Sequence, residues 1–107
     1  MPGSVWVTSL EAAGLDRGAS AHVLMAYTGG TGKKYDVIRR DRVYVSYGER
    51  NPDANAVAVP VFGSADEFIG AISIIGPTNR LVDTAIDESI PVLREAAARL
   101  LRSLRGR

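Results

Sequence analysis

The sequence contains no cysteine and a single histidine, His22, among its 107 residues. Without thiols the chain cannot form disulfides, thiolate metal sites or a cysteine nucleophile, and it suits a reducing compartment. One histidine cannot build a zinc site from histidine ligands. We therefore expect no metal, no cofactor and a cytoplasmic location.

Long apolar runs and a strong charge imbalance are also missing. No segment approaches the roughly 18 apolar residues that a membrane helix needs, and the N-terminus lacks the pattern of a signal peptide. The formal net charge is +1, which does not favour a nucleic-acid binder. A solvated helix face explains the C-terminal arginines better than a phosphate contact does: Arg94, Arg99, Arg102, Arg105 and Arg107. We expect no membrane partner and no direct DNA binding by this chain.

The length favours a single domain over residues 1–107. Apolar patterning predicts a strand at 4–10, helices at 19–27 and 35–42, strands at 43–49, 56–62 and 68–76, and a helix that starts with Asp83 as its N-cap. Short, turn-rich links join the last three strands, which should therefore pair antiparallel. The predicted fold class is α+β, with an antiparallel sheet of about four strands, packed helices and a long C-terminal helix.

Two prolines qualify these elements. Pro60 removes one donor from the strand ladder, so strand 56–62 should lie at a sheet edge or be bulged there. Pro91 leaves the carbonyl of Asp87 without its helical donor, so the C-terminal helix should bend or restart near Ser89.

The stretch "FIGAISIIG" (68–76) places one hydroxyl, that of Ser73, in an apolar strand. Alternation puts Ile69, Ala71, Ser73 and Ile75 on one face of the strand and Phe68, Gly70, Ile72 and Ile74 on the other. The first set is the smaller in total side-chain size, and it carries the only hydroxyl. Small residues beside a bulky face suit a pocket next to a core. A buried serine bonded to a nearby carbonyl explains the same pattern, and both readings stay open at this point.

Two motifs suggest enzyme chemistry without supporting it. The loop "TGGTGKK" (28–34) resembles a phosphate-binding loop, but Lys34 stands where the magnesium-binding hydroxyl belongs and Tyr27 stands where the first glycine belongs. His22 lies among small and apolar residues, and no nucleophile elbow of the G-x-S-x-G type marks a serine partner. We expect a flexible basic loop, a partly buried and hydrogen-bonded His22, and no enzyme activity.

Three segments together carry a family resemblance: "YVSYGERNPDANAVAVPVF", "FIGAISIIGPTNRL" and "PVLREAAARLLRSL". In order and spacing they resemble the C-terminal effector-binding domain of IclR-type transcriptional regulators, which has a GAF-like fold. The match covers residues 43–105. More weakly, "GASAHVLMAY" and "VWVTSL" resemble a helix of that domain and the strand before it.

The resemblance implies a sensor of small organic acids that acts in a homodimer or tetramer. By position, Ser73 matches a ligand-contacting serine, Ile75 takes the place of a second serine, and Ser46 falls where some members have a ligand-contacting aspartate. Ala56 matches a pocket wall. The backbone amides of Ala19 and Ser20 match a helix start that receives a carboxylate, as a helix N-terminus can. Ala71 shares the face of Ser73 and is expected to line the pocket.

The chain departs from the family pattern in three ways. The DNA-binding domain is absent from this sequence, and the segment between Tyr27 and Val43 is shorter than in the family. Ile75 and Ser46 also make the expected pocket less polar than these positions usually are in the family, which favours a ligand larger and more apolar than a two- or three-carbon acid. The leading hypothesis is a small-molecule sensing domain that acts by ligand-biased conformation or oligomerisation. The alternative is a ligand-free module for dimerisation or protein interaction, derived from that domain.

Overall fold

A computed structural model describes residues 6–11, 18–49 and 51–105, with the backbone alone for 6–11 and 104–105. The elements follow the predicted order of strand, two helices, three strands and a helix. Their bounds are β1 (Trp6–Glu11), α1 (Ala19–Tyr27), α2 (Lys33–Asp41), β2 (Tyr44–Tyr47), β3 (Ala54–Phe62), β4 (Phe68–Pro77) and α3 (Asp83–Arg105). The predicted α+β class and the long C-terminal helix are confirmed.

The strands form one antiparallel sheet in the order β1-β4-β3-β2. The connection from β2 to β3 turns at Gly48, whose φ of +66° is a left-handed conformation that glycine adopts without strain. Five residues, 63–67, join β3 to β4, which is one of the short links between antiparallel strands that the sequence predicts.

Pro60 does not make β3 an edge strand, because β3 has β4 on one side and β2 on the other. The prediction of an edge is therefore wrong for the strand as a whole. At Pro60 itself, however, β3 is locally an edge. β2 pairs only with residues 55–58 of β3, so Pro60 lies beyond the end of β2 and pairs with β4 alone among the described strands. A register shift follows directly between Val61 and Phe62.

Helix α3 covers one face of the sheet, which we call the α3 face. Its described buried aliphatic residues on the strands include Val57, Val59, Val61, Ile72 and Ile74. They pack with Leu81, which precedes the helix, and with Ile86 and Leu93 of α3. The side-chain amide of Asn55 donates to the Leu81 carbonyl at 3.0 Å, which ties the sheet to the start of the helix.

Helix α3 runs as one element through Pro91, so the predicted restart near Ser89 does not occur. Pro91 and Asp87 are both exposed, so the carbonyl that lacks its helical donor lies on the water side of the helix, where solvent satisfies it. Asp83 is the first helical residue rather than the N-cap, and its carboxylate accepts a hydrogen bond from the Tyr47 hydroxyl at 3.1 Å.

Helices α1 and α2 cover the opposite face, which we call the α1 face. Its centre is made of small residues, since Ala58 and Ala71 are fully buried there and pack with α1 and with Ile38 of α2. Helix α1 matches its predicted bounds, and α2 begins two residues earlier than predicted, at Lys33. The Arg39 guanidinium joins the two helices, donating to the carbonyls of Ala26 at 2.6 Å and Gly30 at 3.0 Å.

The start of β4 corrects the predicted division between its faces. Phe68 packs with the α1 face and Ile69 packs with the α3 face, which is the reverse of the prediction. The cause is the register shift opposite Val61 and Phe62, where the pairing partner changes from Gly70 to Phe68 and skips Ile69. An extra residue in one strand exchanges the faces on the two sides of the bulge.

Candidate functional site

The five predicted site residues on strands share the α1 face. Ser46 of β2 pairs with Ala56 of β3, and Ala56 pairs with Ile75 of β4, so these three form one row across the sheet. Directly opposed residues in an antiparallel sheet point to the same side. The neighbouring row carries Ser73 opposite Ala58, and Ala71 follows Ser73 at the next alternate position.

The two predicted site residues on α1 lie over this surface. Ala19 is buried in the cluster that contains Ala58 and Ala71. The Ser20 hydroxyl donates to the Ser73 hydroxyl at 3.0 Å, and both side chains are buried. The first turn of α1 therefore lies on the same face of the sheet as the five strand residues, and this pair of hydroxyls joins helix to sheet.

Burial changes sharply along this surface. Ser73 is 2% exposed and Ser46 is 3% exposed, whereas Ile75 is 37% exposed. Within the row of Ser46, Ala56 and Ile75, the serine is therefore buried and Ile75, which pairs with Trp6 of β1 on its other side, is exposed.

The start of α1 is suited to a negative charge. The N-cap residue, Gly18, has no side chain with which to cap the helix, and no acidic residue lies in the first turn of α1. The His22 amide donates to the Gly18 carbonyl at 3.2 Å, which begins the helical bonding. The amides that precede it, including those of Ala19 and Ser20, lie at the positive end of the helix dipole.

A polar cluster beside this surface links α1 to β2 and to the turn that follows β2. The Nε2 of His22 lies 2.9 Å from one oxygen of Glu49, and the Tyr44 hydroxyl donates to the other at 2.5 Å. Because a carboxylate only accepts, this hydrogen bond requires a proton on Nε2 of His22. The His22 and Tyr44 rings lie 4.6 Å apart between centroids, and the Lys34 ammonium lies 5.8 Å from the Tyr44 ring.

The environment of Tyr44 keeps its phenol protonated. Burial raises the pKa of Tyr44, and the hydrogen bond to Glu49 and the charge of that carboxylate raise it further. The prediction that His22 is partly buried and hydrogen-bonded is confirmed, since its side chain is 13% exposed and bonded to Glu49. Sequence reasoning missed Tyr44 and Glu49. The one available signal was that Tyr44 precedes Ser46 by two residues, which places both on the same face.

Two other features lie away from the predicted residues. At the C-terminal end of α1, Tyr27 stacks on Phe68 with centroids 4.9 Å apart, and its buried hydroxyl has no hydrogen-bond partner in the described part of the chain. On the outer side of α3, an open groove is lined by Pro91, Val92, Glu95, Ala96 and Arg99. None of the seven predicted site residues contributes to either feature.

Two kinds of structure are not found in residues 6–11, 18–49 and 51–105. No group of three histidine, cysteine, aspartate or glutamate side chains there is placed to hold a metal ion. No helix in those ranges combines the length and the hydropathy needed to cross a membrane.

Comparison with known sequences gives a family. A sequence model of the bacterial transcriptional regulator IclR C-terminal family matches residues 31–102 of the 107. This range contains Ser46, Ala56, Ala71, Ser73 and Ile75, and it excludes Ala19 and Ser20. The search among curated proteins found no match.

Several solved structures share the fold. The C-terminal domain of a proposed transcriptional regulator from Vibrio cholerae is 27% identical, with a TM-score of 0.66 over 78% of this chain and 62% of that one. A double mutant of the inducer-binding domain of the transcription factor PobR from Acinetobacter, in complex with 3-hydroxybenzoic acid, is 24% identical, with a TM-score of 0.65 over 78% and 64%. The IclR protein of Thermotoga maritima is 20% identical, with a TM-score of 0.68 over 81% and 45%. The chain thus spans less than two thirds of each of these proteins.

Proposed function

Because the chain belongs to the IclR family of bacterial transcriptional regulators, whose C-terminal domain it matches, we propose that it senses a small organic acid on the α1 face of its sheet. The observation that carries the proposal is the buried hydrogen bond between Ser20 and Ser73 beside the first turn of α1. Hydroxyl groups and helix-start amides next to small apolar residues are what a carboxylic acid needs for binding.

In this proposal, each residue around the Ser20–Ser73 hydrogen bond contacts one part of the ligand. The amides of Ala19 and Ser20 receive the carboxylate, and the Ser73 hydroxyl donates to it or to a neighbouring oxygen. Ala56 and Ala71 form walls against the carbon skeleton, while Ser46 contributes a hydroxyl on the β2 side. Ile75, which is exposed, contacts an apolar part of the ligand, which favours acids larger than two or three carbons.

The mechanism that fits this arrangement is a shift between two conformations. The Ser20–Ser73 bond joins α1 to β4, so a ligand that takes over either hydroxyl changes how the helix is held on the sheet. A ligand shifts such an equilibrium only by its difference in affinity for the two states. The shift would then change the association of the domain or act on an attached DNA-reading element. The acid bound by the PobR domain, which shares the fold, supports aromatic acids as the first probes.

A second function is favoured by a separate observation on α3. Val92 is 63% exposed and lies beside Pro91 in the open groove of the outer helix face. Exposed apolar residues of this kind are typical of an association surface. The domain would then serve as a ligand-free dimerisation or interaction module, and its α1 face would hold no effector.

Thermal unfolding of the full chain separates the two functions. The panel contains 3-hydroxybenzoate, benzoate, butyrate and pyruvate, and each acid that shifts the midpoint is repeated with Ser73→Ala. A ligand at 100 times its dissociation constant adds about 2.7 kcal/mol, which is roughly 10 °C in a domain of this size. The matched control is Ser103→Ala, which removes an exposed hydroxyl from α3.

The sensing function predicts a shift that shrinks in Ser73→Ala and persists in Ser103→Ala. No shift across the panel, together with a midpoint that rises with protein concentration, would instead support the interaction module.

A further inference from the structure

Glu49 is held as a bound carboxylate would be. Its two oxygens are divided between two donors, the Nε2 of His22 at 2.9 Å and the hydroxyl of Tyr44 at 2.5 Å. The donors come from different elements, α1 and β2, and their rings are in contact. Together His22 and Tyr44 form a small binding site for one carboxylate, in which each oxygen has its own donor. We call this site the anion seat.

The seat lies next to the proposed effector surface. Tyr44 pairs with Ala58, and Ala58 pairs with Ser73, so Tyr44 is in the same row of the α1 face as the buried serine. His22 follows Ser20 by two residues on α1. Lys34 adds a positive charge over the Tyr44 ring, 5.8 Å from its centroid. A carboxylate in this seat would therefore touch both the helix and the sheet that the effector is proposed to couple.

Glu49 can leave the anion seat more easily than His22 or Tyr44 can. Glu49 belongs to the connection between β2 and β3 and follows Gly48, whose positive φ marks the turn. Its side chain is 33% exposed, compared with 13% for His22. Rotation of one exposed glutamate side chain empties the seat without moving α1 or β2.

We propose that His22 and Tyr44 form a carboxylate-binding pair that Glu49 occupies in the ligand-free chain and that the carboxylate of an acidic ligand takes by displacing Glu49. This inference rests on the proposed sensing function, to which it adds a second carboxylate position and an internal competitor. Glu49 then sets the threshold for the ligand. If it fills the seat nine tenths of the time, the apparent affinity for a free carboxylate is about tenfold weaker than the intrinsic affinity.

Acetate tests the pair because it has the size of the Glu49 side-chain terminus and little else. The full-length chain, Glu49→Ala and the charge-matched control Asp53→Ala are unfolded thermally in increasing sodium acetate, with sodium chloride at equal ionic strength as reference. Asp53 lies in the same connection and is exposed. In Glu49→Ala we expect a saturable rise in the midpoint over chloride, at an acetate concentration about tenfold lower than in the parent chain and in Asp53→Ala.

Two double variants place the response on the named donors. Glu49→Ala with Tyr44→Phe and Glu49→Ala with His22→Ala should each lose the saturable response to acetate. The phenylalanine variant keeps the ring contact with His22, so a folded protein is retained for the measurement. An equal acetate response in Glu49→Ala, Asp53→Ala and the parent chain would overturn the proposal, as would a response that survives both double variants.

The outcome is separable from that of the proposed function. A response of Glu49→Ala at about tenfold lower acetate than the parent chain, without a shift from any larger acid, would support the pair and contradict the sensing function. A shift by larger acids that depends on Ser73 and not on Glu49 would support the sensing function and contradict the pair.

Discussion

Replacing Ser20 and Ser73 by alanine, singly and together, measures the contact on which the site depends. Each hydroxyl is buried and faces the other at 3.0 Å. Removing one partner leaves a buried hydroxyl unsatisfied, which costs about 1–3 kcal/mol, whereas removing both leaves no orphaned group. We therefore expect each single variant to lose about 1–2 kcal/mol of unfolding free energy, and the double variant to lose no more than one single variant.

The quantity to compare is the coupling free energy between the two changes, which should be about 1 kcal/mol or more. Ser20 lies in the first turn of α1, where alanine also raises helix propensity. That gain is common to the Ser20 single variant and the double variant, so it cancels in the cycle. Urea unfolding resolves the coupling as a midpoint difference of roughly 0.5–1 M at a typical slope. Strictly additive losses would refute the reasoning, because they would mean that the two hydroxyls do not depend on each other.

Three further predictions concern the frame of the site. Arg39→Ala should cost about 1–3 kcal/mol of unfolding free energy in urea, since the guanidinium donates to two carbonyls at the end of α1. Arg39→Lys should restore at most part of this loss, because an ammonium lacks the planar, forked donors of a guanidinium. Full restoration by lysine would contradict this reasoning. Leu81→Ala should cost about 2–5 kcal/mol because the side chain is fully buried, whereas exposed Val92→Ala should stay within about 0.5 kcal/mol; equal losses would argue against the α3-face core. Because the pKa of Tyr44 is raised in the folded chain, its contribution to stability is present below about pH 10 and is lost as the pH rises further. Between about pH 8 and 11, the unfolding free energy of Tyr44→Phe should therefore fall less than that of the parent chain. Equal falls in the two proteins would count against the Glu49 contact.

Much of the fold was predictable because it depends on local patterns. The order of elements follows from alternation in the strands, from the three- and four-residue spacing in the helices and from the turn residues between them. Alternation also placed Ala71, Ser73 and Ile75 on one face, and the register of the sheet agrees. The family resemblance supplied the match to Ala19 and Ser20, whose placement over the strands no local pattern contains.

Two incorrect predictions, the faces of Phe68 and Ile69 and the break of α3 at Pro91, both depend on how elements pack in the folded chain. One extra residue opposite Val61 and Phe62 reversed the faces of Phe68 and Ile69. Pro60 favoured an edge or a bulge in strand 56–62, but no residue of strand 68–76 indicated that the extra residue would lie there. Pro91 did not interrupt α3, because its position on the exposed side makes the lost hydrogen bond inexpensive.

The contacts within the site were the least predictable feature. Ser20 and Ser73 are 53 residues apart in sequence, and His22 and Glu49 are 27 residues apart. Such pairs arise from the packing of α1 on the sheet. The chain supplies no sequence pattern that would select Glu49 over the other acids in its turns.

The most direct test of the central claim is an amide ¹H–¹⁵N NMR titration of the full chain with 3-hydroxybenzoate. Binding on the α1 face predicts saturable shifts that are largest for the amides of Ala19, Ser20 and Ser73 and small for the outer face of α3. In Ser73→Ala these shifts should require a higher ligand concentration. Absence of any saturable shift with this acid and the other carboxylates of the panel, or shifts confined to residues around Val92, would contradict the account.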